Sequence, residues 1–199
     1  NAWTRDQGTR FQTAYTLHNL TGCLTKIIMN QFGPMPARVL FVCLGNICRS
    51  PLAEGIFRKK ISARNLGHRF TADSCGTGNY HIGQQPDPRT IRNAGRNGVT
   101  LDHRCRQLKE QDLEVFDHII AMDKSNFRNI MVMETAGIHK EKIRLMRDWD
   151  PKPTSAEVPD PYHGDDRDFQ EVFEILDRCM DAFIDHLEIS GSTDRKSAD

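Results

Sequence analysis

Residues 39–51 read Val-Leu-Phe-Val-Cys-Leu-Gly-Asn-Ile-Cys-Arg-Ser-Pro, and this stretch decides the fold. Its first four residues form an uninterrupted apolar run with β-branched and aromatic members, which is typical of a strand buried on both faces of a parallel sheet. From Ser50 the apolar spacing changes to that of a helix. One face of that helix carries Leu52, Ala53, Ile56, Phe57 and Ile61. The stretch therefore predicts a strand, a tight loop and a helix in immediate succession.

The loop between this strand and this helix has the features of an anion site. A helix N-terminus presents unpaired backbone N–H groups and the positive end of the helix dipole. Ser50 is predicted to be the N-cap and Pro51 the first helical residue. Gly45 and Asn46 are predicted to adopt positive φ angles, because glycine and asparagine tolerate the left-handed region.

Cys43 and Arg49 bracket the loop in a Cys-x5-Arg arrangement. A thiol beside backbone N–H donors and a guanidinium is expected to be deprotonated at neutral pH and therefore nucleophilic. The planar fork of Arg49 suits bidentate phosphate binding. Cys43 and Cys48 also have the spacing of a zinc-ligand pair, but no second pair follows, so we expect neither a metal nor another cofactor. The loop is predicted to be a phosphate cradle with a nucleophile at its floor.

The segment Cys43-Leu-Gly-Asn-Ile-Cys-Arg-Ser50 resembles the signature loop of the low-molecular-weight protein tyrosine phosphatases. The family's later motifs follow in the family's order: Tyr80, Ile82-Gly83, Pro86-Asp87, His103, Arg106-Gln107, Phe116-Asp117, Met122-Asp123, Ser125-Asn126 and Asp160-Pro161-Tyr162. The resemblance covers roughly residues 37–188. It implies an α/β fold of the phosphotyrosine phosphatase I type, with a four-stranded, twisted, Rossmann-like parallel sheet and helices on both faces.

The apolar patterns along the rest of the chain favour the same fold class, because strands alternate with helices. Further strands are predicted near residues 69–75, 116–122 and 142–146, and further helices near residues 88–97, 126–136 and 169–187. The segment that follows Gly98 as far as Leu113 is predicted to be a polar connection. Most of the acidic residues between Asp148 and Asp166 are expected to be solvated.

The resemblance also implies a mechanism. Cys43 would form a phosphocysteine, and the phosphoryl oxygens would be bound by Arg49 and by the backbone amides of Leu44, Gly45, Asn46, Ile47, Cys48 and Arg49. Asp160 would be the general acid, because Pro161 restricts its backbone and could aim its carboxyl back at the loop. Ser50 would donate a hydrogen bond to the thiolate. His103 would hold Asn46.

The expected substrates are phosphotyrosine proteins or small aryl phosphates, with phosphate, sulfate or vanadate as active-site anions. Ile47, Tyr80, Tyr162 and His163 are predicted to line the substrate cleft. The family's tyrosine phosphatases typically carry Ile at the position of Ile47, whereas its phosphoarginine phosphatases typically carry Thr. His163 departs from the family, which usually has a second aromatic residue there.

Three alternatives from other functional classes stay open: a protein-arginine phosphatase, an arsenate reductase on the same fold, and a phosphotyrosine-binding module without catalysis. The reductase is disfavoured because Cys75 and Cys105 are too far apart in sequence to resemble its resolving pair. Cys48 is predicted to trap a sulfenic acid on Cys43 as a reversible disulfide under peroxide.

Composition limits the remaining possibilities. Lys plus Arg equals Asp plus Glu at 27 each, which argues against nucleic acid as a partner. No apolar run reaches the length of a membrane span. Six scattered cysteines indicate a reducing compartment, so we expect a cytoplasmic monomer or weak homodimer.

The phosphatase domain is predicted to cover residues 35–189. Residues 1–34 are expected to be an extension that is poorly ordered or not native to the domain. The alternative for that extension is a short packed helix over residues 17–28, where leucine and isoleucine have partial helical spacing. Residues 190–199 are expected to be a disordered polar tail.

Overall fold

The computed structural model describes residues 35–152 and 157–193 of the chain. Its strands form one parallel sheet of four, in the order β2-β1-β3-β4. They are β1 (Ala37–Cys43), β2 (Phe70–Gly76), β3 (His118–Ala121) and β4 (Ile143–Leu145). The helices are α1 (Arg49–Ala63), α2 (Pro88–Arg96), α3 (Glu110–Val115), α4 (Lys124–Met133) and α5 (Asp166–Thr193). Short 3-10 turns cover Lys140–Lys142 and Met146–Trp149.

Strand β1 occupies an interior position in the sheet, and its successive side chains point to opposite faces. Val39 and Phe41 belong to the apolar cluster that includes α1 and α5, whereas Leu40 and Val42 belong to the cluster that includes α3 and α4. None of these four side chains is exposed. The predicted α/β fold, with a parallel sheet between helices, is confirmed. The carboxyl end of β1 thus brings the loop after residue 43 to the middle of the sheet edge.

Helix α1 begins at Arg49, and the prediction that Ser50 caps it is wrong. Cys48 occupies the N-cap position, and no side chain accepts a hydrogen bond from the first turn. Pro51 is the third helical residue, where its missing N–H costs no helical hydrogen bond because the first turn has no acceptors for its N–H groups. The Ser50 hydroxyl is therefore free to serve the loop.

Two further elements differ from the predictions. Helix α3 begins within the segment predicted to be a polar connection. Leu113 is its single buried apolar residue, so the helix has no periodic apolar pattern that would predict it. Helix α5 continues to Thr193, past the predicted start of a tail at residue 190. The expectations for residues 1–34 and 194–199 concern segments outside the described residues. Within the described part of the chain, no helix has both the length and the apolar character required to cross a bilayer.

Most acidic residues between Asp148 and Asp166 are exposed, as predicted, and Asp150 is an exception. Its carboxylate has no exposed surface and accepts hydrogen bonds from Arg147 at 2.9 Å and from Arg178 at 3.0 Å. The backbone N–H of Lys152 donates a further bond of 3.0 Å. Burial opposes the charge, but the hydrogen bonds from Arg178, Lys152 and Arg147 outweigh it and lower the pKa of Asp150 to about 2. The residue ties the segment after β4 to helix α5.

We expect Asp150→Asn to lower the free energy of unfolding at pH 7 by about 1–3 kcal/mol. This is less than the cost of breaking a fully buried ion pair, because both arginines are partly exposed. The folded-state pKa is depressed, so the carboxylate's contribution is present above about pH 4 and is lost as the pH falls toward 2. Urea titrations followed by circular dichroism should thus give a difference between parent and variant that shrinks in acid. Asp102→Asn, on an exposed loop, is the control. A difference of equal size at pH 7 and pH 2.5 would contradict the ion-pair explanation.

Candidate active site

Cys43 ends β1, and its thiol lies at the floor of the loop formed by residues 43–49. Its Sγ accepts the backbone N–H of Asn46 over 3.2 Å and lies 3.0 Å from the Ser50 hydroxyl oxygen. The residue is only 2% exposed. Both neighbouring groups can donate hydrogen bonds to a sulfur anion. The loop therefore provides a sulfur atom with donors at its back and an opening at its front.

Asn46 organises the loop from inside. Its φ of 57° confirms the predicted left-handed conformation. Its side-chain amide donates to the hydroxyls of Ser50 and Ser74, each over 2.9 Å. The side-chain oxygen Oδ1 of Asn46 accepts the backbone N–H of Arg106 at 2.9 Å and lies 2.8 Å from His103 Nε2. Asn46 is 1% exposed, so these protein groups replace water as the hydrogen-bond partners of its side chain.

Gly45 does not have the predicted positive φ, and that prediction is wrong. Space explains the glycine instead, because a Cβ at this position would lie 3.3 Å from Cδ2 of His81. The same constraint acts at Gly78, where a Cβ would overlap the ring of Tyr80. Both glycines let the loop that carries Tyr80 and His81 approach the backbone closely.

His103 connects Asn46 to a buried carboxylate. Its Nδ1 lies 3.1 Å from Oε2 of Glu54, which also accepts the Ser74 hydroxyl over 2.9 Å. Burial would raise the pKa of Glu54, but the hydrogen bonds from His103 and Ser74 and the nearby Arg58 lower it. The imidazole is therefore a bridge between the loop and α1, with both ring nitrogens engaged.

Glu54, Asp73 and His103 also form a group with metal-ligand geometry, since one ligand atom of each lies within 4.8 Å of the others. The residues do not fit a cation well. Arg58 donates to Glu54 over 2.9 Å and Arg106 donates to Asp73 over 2.8 Å, so guanidinium groups already satisfy both carboxylates. We assign this group a supporting role beneath the loop.

Arg49 is 3% exposed and carries its charge in a nearly dry environment. One nitrogen, Nη1, donates to Asp123 over 2.7 Å and to the carbonyl oxygen of Val158 over 3.2 Å. The other, Nη2, donates to Asp160 over 2.6 Å. Burial lowers the pKa of Arg49, but Cys43, Asp160 and Asp123 outweigh that effect and raise it above its ordinary value. The guanidinium thus pairs with two carboxylates and is close enough to Cys43 for an electrostatic interaction.

Asp160 reaches the loop because its segment is fixed on the end of β3. The backbone N–H of Val158 donates to the carbonyl oxygen of Met122 over 2.9 Å, and the Val158 side chain is buried. Pro161 follows, and the N–H of Tyr162 donates to Asp160 Oδ1 over 3.2 Å. The Asp160 side chain is 45% exposed, so one side of the carboxyl faces solvent and the other faces Arg49.

A cavity of about 440 Å³ opens above Cys43. Aromatic and imidazole rings line its mouth, and the loop forms its floor. Its lining consists of Cys43, Leu44, Gly45, Ile47, Cys48, Arg49, Tyr80, His81, Asp160, Tyr162 and His163. Tyr80 is 67% exposed and Tyr162 is 42% exposed, so both rings offer accessible surface at this opening.

Comparison with known proteins identifies the family. The family model described as low molecular weight phosphotyrosine protein phosphatase matches residues 38–192. The chain belongs to this family. It is therefore a hydrolase, as predicted from the loop and the later motifs.

Individual relatives agree with this assignment. The human low molecular weight phosphotyrosine protein phosphatase is 40% identical over 148 residues, which are 74% of this chain and 93% of that protein. A crystal structure of a protein tyrosine phosphatase from Entamoeba histolytica superposes with a TM-score of 0.75 at 37% identity, covering 78% of this chain and 99% of that one. A fly arginine phosphatase also superposes, with a TM-score of 0.70 at 30% identity, covering 75% and 96%.

The structure places the predicted site residues in two groups. The cavity lining includes the predicted catalytic residues and walls, whereas Asn46, Ser50 and His103 form a hydrogen-bonded network beneath the loop. Cys43, Arg49 and Asp160 meet at the cavity floor, and Ile47 lies with the predicted walls around the opening. Two neighbours of the site were not predicted. Asp123, which stands above only among the family motifs, is the N-cap of α4 and accepts the N–H of Asn126 over 2.6 Å. Its place between a predicted strand and a predicted helix is the signal for that role. His81 gave no signal beyond its adjacency to Tyr80.

Cys48 contributes to the cavity lining but is only 4% exposed. It lies in a small buried cluster with Ile47, Cys105 and Phe169. Burial raises the pKa of the Cys48 thiol to about 12. The raised pKa keeps the Cys48 thiol protonated at neutral pH, so Cys48 is not expected to react with peroxide itself. The predicted Cys43–Cys48 protection stays a prediction.

Proposed function

We propose that the protein hydrolyses phosphotyrosine and small aryl phosphates through a phosphocysteine on Cys43, with Asp160 as general acid and no metal. One observation carries the proposal. The Arg49 guanidinium, beside the Cys43 sulfur, holds the Asp160 carboxyl through a hydrogen bond of 2.6 Å. A nucleophile, an anion-binding fork and a proton donor therefore converge on one cavity.

Binding of the phosphoryl group would use the loop amides and Arg49. The free backbone N–H groups near the start of α1 and the helix dipole favour an anion above Cys43. The Arg49 fork would contact two phosphoryl oxygens and stabilise the charge that develops between sulfur and the leaving oxygen. Inorganic phosphate, sulfate and vanadate should occupy the same position as inhibitors.

In the first chemical step the Cys43 thiolate attacks phosphorus, and the bond from phosphorus to the phenolic oxygen breaks. Asp160 gives its proton to that oxygen, so tyrosine leaves as a neutral phenol. In the second step a water molecule attacks the phosphocysteine and gives a proton to Asp160, while the sulfur–phosphorus bond breaks. Inorganic phosphate and the Cys43 thiolate are released.

The Arg49–Asp160 ion pair has a consequence for this sequence of steps. The phosphate dianion competes with the Asp160 carboxylate for Nη2 of Arg49. A substrate that takes over this nitrogen brings further negative charge near Asp160, and this favours the protonated carboxyl that the first step requires. Binding of the dianion thereby prepares the acid.

Aromatic substrates suit the walls of the cavity. Tyr80 and Tyr162 can contact a flat phenyl ring, and the branched side chain of Ile47 adds apolar surface between them and the loop. The Ile47 side chain accepts no hydrogen bond from a phosphorylated guanidinium, whereas a threonine hydroxyl at position 47 could accept one. A short serine ester would not reach the loop from this mouth. We propose a cytoplasmic location, since the nucleophile requires a reducing compartment.

Cys43→Ser should reduce turnover of p-nitrophenyl phosphate to the uncatalysed background, because the hydroxyl lacks the nucleophilicity of a thiolate. Inorganic phosphate should still bind, as measured by isothermal titration calorimetry. Arg49→Lys is the contrasting variant. It should weaken both phosphate binding and turnover, because a point charge replaces the fork. Substantial turnover by Cys43→Ser would remove the phosphocysteine from the mechanism.

Asp160→Asn should slow phenyl phosphate hydrolysis by about 10²–10⁴-fold, the usual range for general acid catalysis. The loss for p-nitrophenyl phosphate should be much smaller, because its leaving group needs little proton donation. Phosphate inhibition should not weaken, since Arg49 loses a competing carboxylate. Steady-state kinetics on both esters test this, with the exposed Asp166→Asn as control. An equal loss on both esters would reassign the acid, with Asp123 and Asp87 as the next candidates.

Phosphotyrosine peptides should be hydrolysed with a higher kcat/KM than phosphoarginine peptides of the same flanking sequence. Ile47→Thr should shift this ratio toward phosphoarginine by about tenfold, the scale of a single altered pocket contact. Ile47→Val, which keeps a branched apolar side chain, is the matched control. Faster hydrolysis of phosphoarginine by the parent enzyme would favour the arginine phosphatase, the activity named for the fly relative.

A further inference from the structure

Arg89 is a charged residue behind the cavity wall that the mechanism above does not use. Its guanidinium carbon lies 4.7 Å from the ring centre of Phe169 and 5.6 Å from the ring centre of Tyr162. Phe169 is buried on α5, whereas Tyr162 forms one wall of the cavity. The guanidinium therefore contacts both a rigid core ring and the ring that would contact the substrate.

Asp87 fixes the orientation of this guanidinium. Its two carboxylate oxygens accept Nε of Arg89 over 3.0 Å and Nη2 over 2.8 Å. The Asp87 carboxylate also caps α2 by accepting the N–H of Arg89 over 2.7 Å. This bidentate geometry determines the plane of the guanidinium as well as its position.

Asp87 is itself attached to the phosphate loop. Its backbone N–H donates to the carbonyl oxygen of Ile47 over 2.8 Å. On the other side of the stack, the N–H of Tyr162 donates to Asp160 over 3.2 Å. A continuous set of contacts thus runs from Ile47 through Asp87, Arg89 and Tyr162 to the carboxyl of the proposed acid.

We propose that Arg89 is a positioning residue of the reaction: its guanidinium, held by Asp87 and stacked on Phe169, fixes Tyr162 and thereby the Asp160 carboxyl above the phosphate loop. The proposal rests on the function proposed for Asp160. It gives a role to a charged residue that lies behind an aromatic wall, where an apolar side chain could also pack. Arg89 does not touch the reacting atoms.

Lysine cannot replace this arrangement. A planar guanidinium can stack on a ring while its edge donates two parallel hydrogen bonds to a carboxylate, whereas an ammonium is a point charge without a plane. Arg89→Lys keeps the charge and much of the side-chain volume but removes the stack. The effect of Arg89→Lys on the rate therefore measures the orientation of Tyr162 more than the loss of a charge.

A merely structural role would predict a different result. If Arg89 only stabilised the contact between α2 and α5, its loss would lower stability and slow all substrates alike. If Arg89 positions Asp160, the decrease in rate caused by removing Arg89 should be larger for leaving groups that require more proton donation. Leaving-group dependence therefore separates the two roles.

The experiment compares kcat/KM of Arg89→Lys with that of the parent enzyme on phenyl phosphate and p-nitrophenyl phosphate. We expect a loss of about tenfold on phenyl phosphate, a fraction of the full effect of general acid catalysis, and less than about threefold on p-nitrophenyl phosphate. Arg92→Lys, an exposed residue on the same helix, is the matched control. Arg89→Gln provides a second variant with a planar polar end, in case the lysine variant folds poorly as judged by thermal melting.

The same substitution in an Asp160→Asn background completes the test. There the leaving-group dependence of Arg89→Lys should disappear, because no acid remains to be positioned. Equal losses on both esters, or an unchanged dependence in the Asp160→Asn background, would overturn the role of Arg89. Failure of the acid assignment appears separately, in the single variant Asp160→Asn, and would overturn the positioning of Asp160 as well.

Discussion

The active-site loop depends on the buried amide of Asn46. A non-glycine residue in the left-handed region costs about 1–2 kcal/mol, and the polar side chain would cost more if it were buried without partners. Four partners within 2.9 Å, on three different segments, offset both costs: Ser50 on α1, Ser74 on β2, and His103 and Arg106 on the connection between α2 and α3. The same backbone turn directs the Asn46 N–H at the Cys43 sulfur. The hydrogen bonds of the Asn46 side chain therefore also fix the donor that the sulfur accepts.

A second constraint is the balance of charge around Arg49. A guanidinium with 3% exposure would cost several kcal/mol if it were left without counter-ions. Asp123 and Asp160 satisfy it from two different loops of the sheet edge. The residue that would hold substrate phosphate is therefore also the residue that gathers the loops around the cavity. If a substrate phosphate replaced Asp160 as a partner of Arg49, the buried positive charge would keep a negative counter-ion at every stage.

Local patterns predicted the strands and helices better than the roles of individual residues. The apolar run before Cys43 and the helical face after it are where they were expected. Ser50 and Gly45 were explained by local rules, a helix cap and a positive φ, and both explanations are wrong. Ser50 serves the sulfur and Asn46, and Gly45 makes room for His81. No local pattern distinguishes the buried Asp150 from its solvated neighbours, because its partner Arg178 lies 28 residues further along the chain.

The strand, loop and helix around Cys43 follow from periodicity and spacing, because these are properties of neighbouring residues. The family follows from the resemblance of motifs whose order along the chain can be read without a structure. Only the tertiary structure decided that Asp123 shares Arg49 with Asp160, that His81 joins the cavity, and that Arg89 lies between Tyr162 and Phe169. Those contacts join residues from separate loops and helices. Their geometry is set by how the helices pack on the sheet, a long-range property that no local pattern contains.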